Sequence, residues 1–144
     1  MDDVMPRFSR RSRGFLDTCH PLIQLVCNEV IKIFDCTILC GHRNAKAQDL
    51  LFEQGKSRCK WPDSTHNNFP STAVDMAPWY LDKPHIRWDK SSLTRWYFFG
   101  GIVYATACKL DIPIRWGGDW NRNTYILDQT FNDLPHFELA EKEN

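Results

Sequence analysis

Residues 64–79, STHNNFPSTAVDMAPW, place a short apolar segment directly after a polar loop. The apolar part, residues 73–77, is typical of a buried strand, and Pro78 closes it because proline cannot continue the hydrogen-bond ladder. Asp75 stands in the middle of this strand, and His66 stands in the preceding loop. A buried carboxylate without a partner costs several kcal/mol. The stretch therefore predicts a buried strand and a charged partner for Asp75.

The segments on either side predict a small α+β domain. The apolar spacing from Ser12 to about Phe34 is helical, Asn44 is typical of the N-cap of a helix through residue 53, and residues 91–110 form a third helical stretch. Short apolar or alternating segments predict three more strands, at residues 36–40, 112–116 and 136–139. Because helices and strands do not alternate strictly, we expect a small antiparallel sheet packed with two or three helices.

Length and composition favour one ordinary globular domain. The predicted domain covers residues 1–144, with residues 1–11 as a loose N-terminal lead-in. The formal net charge is zero, which gives no electrostatic argument for nucleic acid binding. The N-terminus lacks the apolar core of a signal peptide, and charges interrupt the most apolar early segment. We therefore expect a monomer that binds no nucleic acid and has no membrane anchor.

The six cysteines are expected to be free thiols, most of them buried. Their even number permits a disulfide framework, but a cytosolic chain of this size does not need one. Cys36, Cys40 and His42 are close enough in sequence to consider a metal cluster. The paired Cys-x-x-Cys spacing of structural zinc sites is missing, so free thiols are the preferred interpretation.

Two histidines and two aspartates have the composition of a catalytic zinc site. His66, Asp75 and His136 supply two imidazoles and one carboxylate, a common ligand set that leaves a fourth position for water. Asp133 precedes His136 by three residues, which suits it to accept a proton from that water. Spacing alone leaves ordinary alternatives open: a loop histidine, a carboxylate paired with arginine, and a turn aspartate.

Several short motifs occur together in an order that is specific to one family. In chain order they are TILCGHRNAKAQDLLFEQGKS at residues 37–57, Ser64-Thr-His66, Ala73-Val-Asp75, IRWGGDW at residues 114–120, and Asp133-Leu-Pro-His136. From about residue 8 to residue 139, the chain resembles the zinc peptidases that include VanY-like D-alanyl-D-alanine carboxypeptidases, VanX-like dipeptidases and the L-alanyl-D-glutamate endopeptidases of phage endolysins. The last branch is the most similar, because it carries the Trp-Gly-Gly-Asp-Trp block.

The resemblance implies a role for each matching residue. His66, Asp75 and His136 would hold one zinc ion per chain, and Asp133 would act as the general base and then protonate the leaving amine. Arg43 would bind the substrate carbonyl or a carboxylate and stabilise the oxyanion. Further candidates for substrate contacts or for the shape of the cleft are Ser64, Gln48, Asp119 and Trp120, and Glu138 is expected to orient a ligand histidine.

Two departures from the family pattern concern this same site. The gap between His66 and Asp75 is two residues longer than in the family and lacks its glycine, so the metal site requires residues 67–71 to bulge outward. The base position carries Asp133 where many relatives have glutamate, so the shorter side chain must approach the water as closely.

The resemblance implies a zinc-dependent peptidoglycan peptidase, an endolysin that cleaves the L-alanyl-D-glutamate bond of the stem peptide. Such a protein would remain in the host cytoplasm until holin lesions release it to the periplasm and cell wall. A D,D-carboxypeptidase or dipeptidase of the same family is one alternative, which the missing export signal disfavours. A non-catalytic module that binds the wall or forms part of a virion is another, which the presence of all three ligands and the base disfavours.

Overall fold

Four antiparallel strands form the frame of the molecule, and the helices lie against it. A computed structural model describes residues 5–141. Within them the elements are α1 (Arg10–Leu16), α2 (Pro21–Val30), β1 (Cys36–Cys40), α3 (Ala45–Glu53), β2 (Ala73–Pro78), α4 (Leu93–Lys109), β3 (Ile114–Trp116) and β4 (His136–Leu139). The predicted α+β class with a small antiparallel sheet is confirmed. None of the helices in this described part is both long and apolar enough to cross a membrane.

The sheet separates an apolar face from a polar one. Its strand order is β1-β2-β4-β3, so β2 and β4 are the central strands. Side chains alternate along a strand, and Val74 and Met76 of β2 lie in the core, which directs Asp75 to the opposite face. In β4, Phe137 lies in the core, so His136, which pairs with Asp75 across the strands, shares the polar face.

Aromatic packing fixes α4 on the apolar face. Phe99 of α4 is fully buried and meets Phe137 edge to face, with the ring centroids 6.2 Å apart. Gly100 lies against the indole of Trp116, where a Cβ atom would overlap the ring. The glycine therefore permits this close packing, and the helix runs on without interruption to Lys109.

The helical stretch predicted from Ser12 to about Phe34 consists of two helices, and Pro21 lies in the first turn of the longer one, as its position in the sequence predicts. α1 ends at Leu16 and α2 begins at Pro21, because proline lacks the N–H needed inside a helix and suits its first position. His20 caps α2, its Nδ1 accepting from the backbone N–H of Leu22 at 3.1 Å. The loose lead-in is also shorter than predicted, since α1 already begins at residue 10 and Phe8 is buried in the core. Residues 1–4 of that lead-in lie outside the described part.

The other predicted boundaries shift by a few residues at most. Asn44 caps α3 as predicted, its side chain accepting from the backbone N–H of Ala47 at 2.9 Å. The strand predicted at 112–116 begins only at Ile114, because Pro113 has no N–H to contribute to the ladder. A 3₁₀ turn, Lys90–Ser92, precedes α4.

A β-bulge disturbs the pairing of β1 with β2. Ile38 pairs with Met76, but the next pair joins Cys40 to Asp75, which leaves Leu39 as the extra residue. Without the bulge, Leu39 would stand opposite Asp75. The bulge therefore brings Cys40 into register with the carboxylate on the polar face.

Candidate active site

Asp75 lies at the centre of a polar cluster on the sheet. One of its carboxylate oxygens, Oδ1, lies 3.2 Å from Nε2 of His66 and 3.3 Å from Nδ1 of His136. The side chain of His66 is 3% exposed and that of His136 is 9% exposed. The three residues predicted to bind a metal are thus brought together, with the carboxylate between the two imidazoles.

A short turn positions His66. The 3₁₀ turn Thr65–Asn67 begins after Ser64, whose hydroxyl accepts from the backbone N–H of His66 at 3.2 Å. The ring Nδ1 of His66 lies 2.8 Å from the carbonyl oxygen of Gly41. Because a carbonyl can only accept, Nδ1 carries a proton, and Nε2 is the nitrogen that faces Asp75. This is the orientation that a metal ligand requires.

Residues after this turn form the longer gap noted in the sequence. Residues 68–70 are exposed, and Phe69 packs against the ring of His42, with centroids 5.2 Å apart. His66 nevertheless remains beside Asp75. Of residues 67–71, all expected to bulge outward, only residues 68–70 do so, because Asn67 and Ser71 are buried.

The carboxylate of Glu138 fixes the ring orientation of the second histidine, His136. The Nε2 atom of His136 lies 2.7 Å from Oε1 of Glu138, and Glu138 also accepts from Arg115 at 2.8 Å. This leaves Nδ1 of His136 directed at Asp75. A histidine held by a carboxylate on its far nitrogen is the usual arrangement of a metal ligand, and the predicted contact of Glu138 with such a histidine is present.

The cluster concentrates opposite charges in a small buried volume. Burial disfavours the charged form of all three groups, but their mutual hydrogen bonds and charges outweigh it, together with hydrogen bonds from His66 to Cys40 and from His136 to Glu138. They hold the pKa of the Asp75 carboxyl well below its usual range, and they raise the pKa of His66 to about 10 and that of His136 to about 9. The chain without metal therefore holds two protons where a cation would otherwise neutralise the carboxylate.

Arg43 approaches the cluster from the loop after β1. Its Nη2 atom lies 3.8 Å from Oδ2 of Asp75, and its Nη1 atom donates to Oε1 of Gln48 at 2.9 Å. Gln48 is fully buried and donates in turn to the carbonyl oxygen of Cys59. It does not line the cleft, so its position favours orientation of Arg43 over direct contact with a substrate.

Asp133 lies beside the same cluster. Its backbone N–H donates to the carbonyl of Gly117 at 2.8 Å, and its carbonyl accepts from the backbone N–H of His136 at 3.0 Å. Burial, and after it the negative charge of Asp75, raises the pKa of the Asp133 carboxyl above its usual value. A carboxylate held half-buried next to a candidate metal ligand has the environment of a general base.

The side chains described so far line one large cleft. Its volume is about 1000 Å³, and it is lined by Arg43, His66, Asp75, Asp133 and His136. The predicted substrate residues divide in two: Ser64 and Trp120 line the cleft, whereas Gln48 and Asp119 do not. Asp119 is buried, and its carboxylate accepts from the backbone N–H groups of Asn123 and Thr124, so it shapes the loop beside the cleft.

One member of the cluster is missed by the sequence reasoning. The Sγ atom of Cys40, a ring nitrogen of His66 and an oxygen of Asp75 lie within 4.8 Å of one another. The bulge in β1 changes which residue of the strand faces Asp75, and regular alternation does not reveal it. The cluster of Cys36, Cys40 and His42 is not formed, because Cys36 is buried in the core. All six cysteines are free, as predicted, although Cys40, Cys59 and Cys108 are not buried.

Three comparisons relate this chain to known proteins. The family model described as phage L-alanyl-D-glutamate peptidase matches residues 4–140. Among solved structures, the L-Ala D-Glu endopeptidase ChiX of Serratia marcescens superposes with a TM-score of 0.67 at 22% sequence identity, covering 96% of this chain and 94% of that one. No curated protein matches the sequence. Since the family model spans nearly the whole chain, the protein belongs to the phage L-alanyl-D-glutamate peptidase family and is a peptidoglycan endopeptidase.

Proposed function

We propose that the protein cleaves the L-alanyl-D-glutamate bond of the peptidoglycan stem peptide with one zinc ion per chain, held by His66, Asp75 and His136. The observation that carries the proposal is the single oxygen of Asp75 that lies 3.2 and 3.3 Å from nitrogens of the two histidines. All three groups line the cleft in which a peptide can bind.

Two of the spacings between the donor atoms, those from Asp75 to each histidine, fit a tetrahedral ion. With ligand bonds of about 2.0–2.1 Å, neighbouring donors around zinc lie roughly 3.3 Å apart. The two measured distances agree with that value. Arg43 offers Asp75 only a longer contact, 3.8 Å, so pairing with arginine does not account for the carboxylate as well.

The side chains then have distinct tasks in hydrolysis. When bound, zinc supplies a Lewis acid that lowers the pKa of a water molecule and polarises the scissile carbonyl. Asp133 accepts a proton from the attacking water as the new bond to the carbonyl carbon forms. The C–N bond then breaks, and Asp133 passes that proton to the amine of D-glutamate, leaving the L-alanine carboxylate. Its raised pKa suits a group that must both take and return a proton.

Arg43 is proposed to stabilise the negative oxygen of the tetrahedral intermediate. Its guanidinium lines the cleft and can donate to an oxyanion in two-pronged fashion. Gln48 fixes one of its nitrogens at 2.9 Å, so little reorganisation is needed when the charge develops. Ser64 and Trp120 are proposed to contact the stem peptide, since both line the cleft. Asp119 is proposed to act indirectly, through the loop that carries Trp120.

We further propose that the protein reaches its substrate after release from the host cytoplasm through holin lesions. Membership of a phage peptidase family supports this site of action. Separate expression of the protein with and without a holin tests it, since lysis should depend on the holin.

The decisive experiment combines metal content with the identity of the product. The purified protein should contain one zinc ion per chain. With purified peptidoglycan it should release new D-glutamate amino termini, detected by mass spectrometry, and a chelator should abolish this activity.

Two other outcomes would contradict the proposal. Release of terminal D-alanine would mean that the bond is that of a D,D-carboxypeptidase. Cleavage that persists after complete removal of metal would overturn the zinc mechanism and the ligand roles assigned to the three residues.

A further inference from the structure

We propose that Cys40 is an additional ligand of the metal centre, so that its sulfur binds the same ion as His66 and Asp75. The inference rests on the proposed zinc site and adds to it a donor of a different chemical kind. It starts from the cluster of three donor atoms that lie within 4.8 Å of one another.

The fold provides the first support. Cys40, Asp75 and His136 are direct neighbours across β1, β2 and β4, so they form one row on three adjacent strands. Residues opposite each other in a sheet project to the same face, with Cβ atoms about 4.5–5.5 Å apart. Cys40 enters this row only because Leu39 is bulged out. Bulges commonly redirect a side chain beside an active site, and this one places a thiol where a leucine would otherwise face the carboxylate.

The surroundings of the sulfur provide the second support. Nη2 of Arg43 lies 3.6 Å from Sγ of Cys40, and this nitrogen also approaches Asp75. Two anionic ligands, a thiolate and a carboxylate, would balance the charge of a divalent ion, and the guanidinium adds positive charge beside them. Zinc bonds sulfur at about 2.3 Å and nitrogen at about 2.0–2.1 Å, so donors that lie within 4.8 Å of one another must approach by at most roughly 1.3 Å to share one ion.

A thiolate changes the properties of the centre. Three protein ligands leave a position for water, whereas a fourth protein ligand is typical of a closed site. Sulfur also favours zinc or cobalt over harder ions such as magnesium and manganese. We therefore expect Cys40 to tighten metal binding and to give up its position to the water that hydrolysis requires.

The absorption spectrum of bound Co²⁺ shows directly whether a cysteine sulfur is a ligand. The metal-free protein is loaded with Co²⁺, and its absorption spectrum is recorded. A cobalt–thiolate bond gives an intense near-ultraviolet charge-transfer band, which nitrogen and oxygen ligands do not give. The wild type should show the band, and Cys40→Ser should lose it and bind cobalt at least about tenfold more weakly, since even the loss of a group that only hydrogen-bonds to a metal ligand costs about 10- to 100-fold.

Cys59→Ser is the matched control, because Cys59 also lines the cleft but is not a member of the donor cluster. This variant should keep the band. Cys40→Ala provides a second variant if the serine variant does not fold, which circular dichroism establishes.

The possible results separate the two proposals. Stoichiometric cobalt binding by the wild type without the band would overturn the role of Cys40 and leave the three-residue zinc site intact. A band that survives in both Cys40 variants would overturn it as well. Failure of the wild type to bind cobalt or zinc would overturn the zinc site itself, and the inference about Cys40 with it.

Discussion

The carboxylate of Asp75 has three nitrogen-bearing side chains within 4 Å, those of Arg43, His66 and His136. This explains how an acidic residue is tolerated in an otherwise apolar strand, because each neighbour offsets part of the cost of burial. The same neighbours make the residue sensitive to change. Removal of any one of them leaves a buried charge less well compensated.

The first prediction concerns Asp133. Asp133→Asn keeps the size of the side chain but removes its ability to accept a proton, so kcat should fall by about 10²- to 10⁴-fold. Zinc content and thermal stability should be unchanged, because Asp133 is not a proposed ligand. Turnover of purified peptidoglycan and metal analysis of the same samples provide the measurement.

Asp63→Asn is the control for this variant. Asp63 lines the same cleft but is exposed. Its variant should retain nearly full activity, and a wild-type rate in Asp133→Asn would exclude Asp133 as the base.

A second prediction concerns pH and the metal-free protein. The pKa values of His66 and His136, about 10 and about 9, exceed the value of about 6.5 expected in the unfolded chain. Their protonation therefore stabilises the folded state fully below about pH 6.5, and this stabilisation is lost as pH rises through 9 to 10. The free energy of unfolding, measured by denaturant titration without metal, should fall between about pH 7 and pH 10.

Buried cysteines also lower the free energy of unfolding as pH rises, since burial raises the pKa of Cys19 to about 12. His136→Gln keeps the cysteines and removes one histidine, so its stability should decline less steeply over this range. Equal slopes in the two proteins would contradict the assignment.

At the scale of elements, the site depends on how the loop before β4 is held. Gly117 follows β3, and a Cβ atom added to it would overlap the carbonyl oxygen of Asp133. The same two residues are joined by a backbone hydrogen bond of 2.8 Å. The glycine therefore lets the loop that carries the proposed base pack directly on the end of β3.

The third prediction follows from this contact. Gly117→Ala should lower the free energy of unfolding by about 1–3 kcal/mol, because the loop must move to admit the methyl group. It should also reduce kcat by about 10²-fold, since a displacement of about 1 Å at a reacting group is that costly. Denaturant unfolding and peptidoglycan turnover test both effects.

Gly101→Ala is the matched control, because nothing lies within 4 Å of its added Cβ in α4. It should raise the free energy of unfolding by about 0.5–1 kcal/mol, as alanine favours a helix, and leave kcat unchanged. Full activity in Gly117→Ala would show that the position of the loop does not matter for catalysis.

The sequence predicts the strands and helices more readily than it predicts local departures from them, such as a β-bulge. The apolar patterns identified all four strands, and the order of motifs identified His66, Asp75 and His136 as neighbours. The bulge at Leu39 could not be predicted, since it depends on pairing between strands rather than on local preference. For that reason Cys40 appeared to be an ordinary thiol. The buried position of Gln48 also escaped prediction, because a polar residue becomes buried only when partners from distant segments surround it.

For the whole molecule, metal binding and folding are expected to be linked. The proposed ligands come from a loop and from two strands that meet only in the folded state, so an ion that binds them stabilises that state. At a free zinc concentration 100 times Kd, the gain is about 2.7 kcal/mol.

The fourth prediction follows. Removal of zinc from the protein should lower Tm by roughly 10 °C for a chain of this size, and restored zinc should reverse the change. Calorimetry of the same sample before and after chelation provides the measurement. Asp75→Asn, which removes the negative charge of the proposed ligand, should show little response to zinc. An equal shift in this variant would place the stabilising ion elsewhere.

Asp75 and His136 lie on the two central strands, and this position determines how readily local unfolding can separate them. Central strands are bonded on both sides, and such strands open only with the whole domain rather than by local fraying. These two proposed ligands should therefore persist for as long as the molecule remains folded, even when the surrounding loops fluctuate. New wall specificities can then arise in those loops that carry none of the catalytic groups, while Asp75 and His136 stay in place.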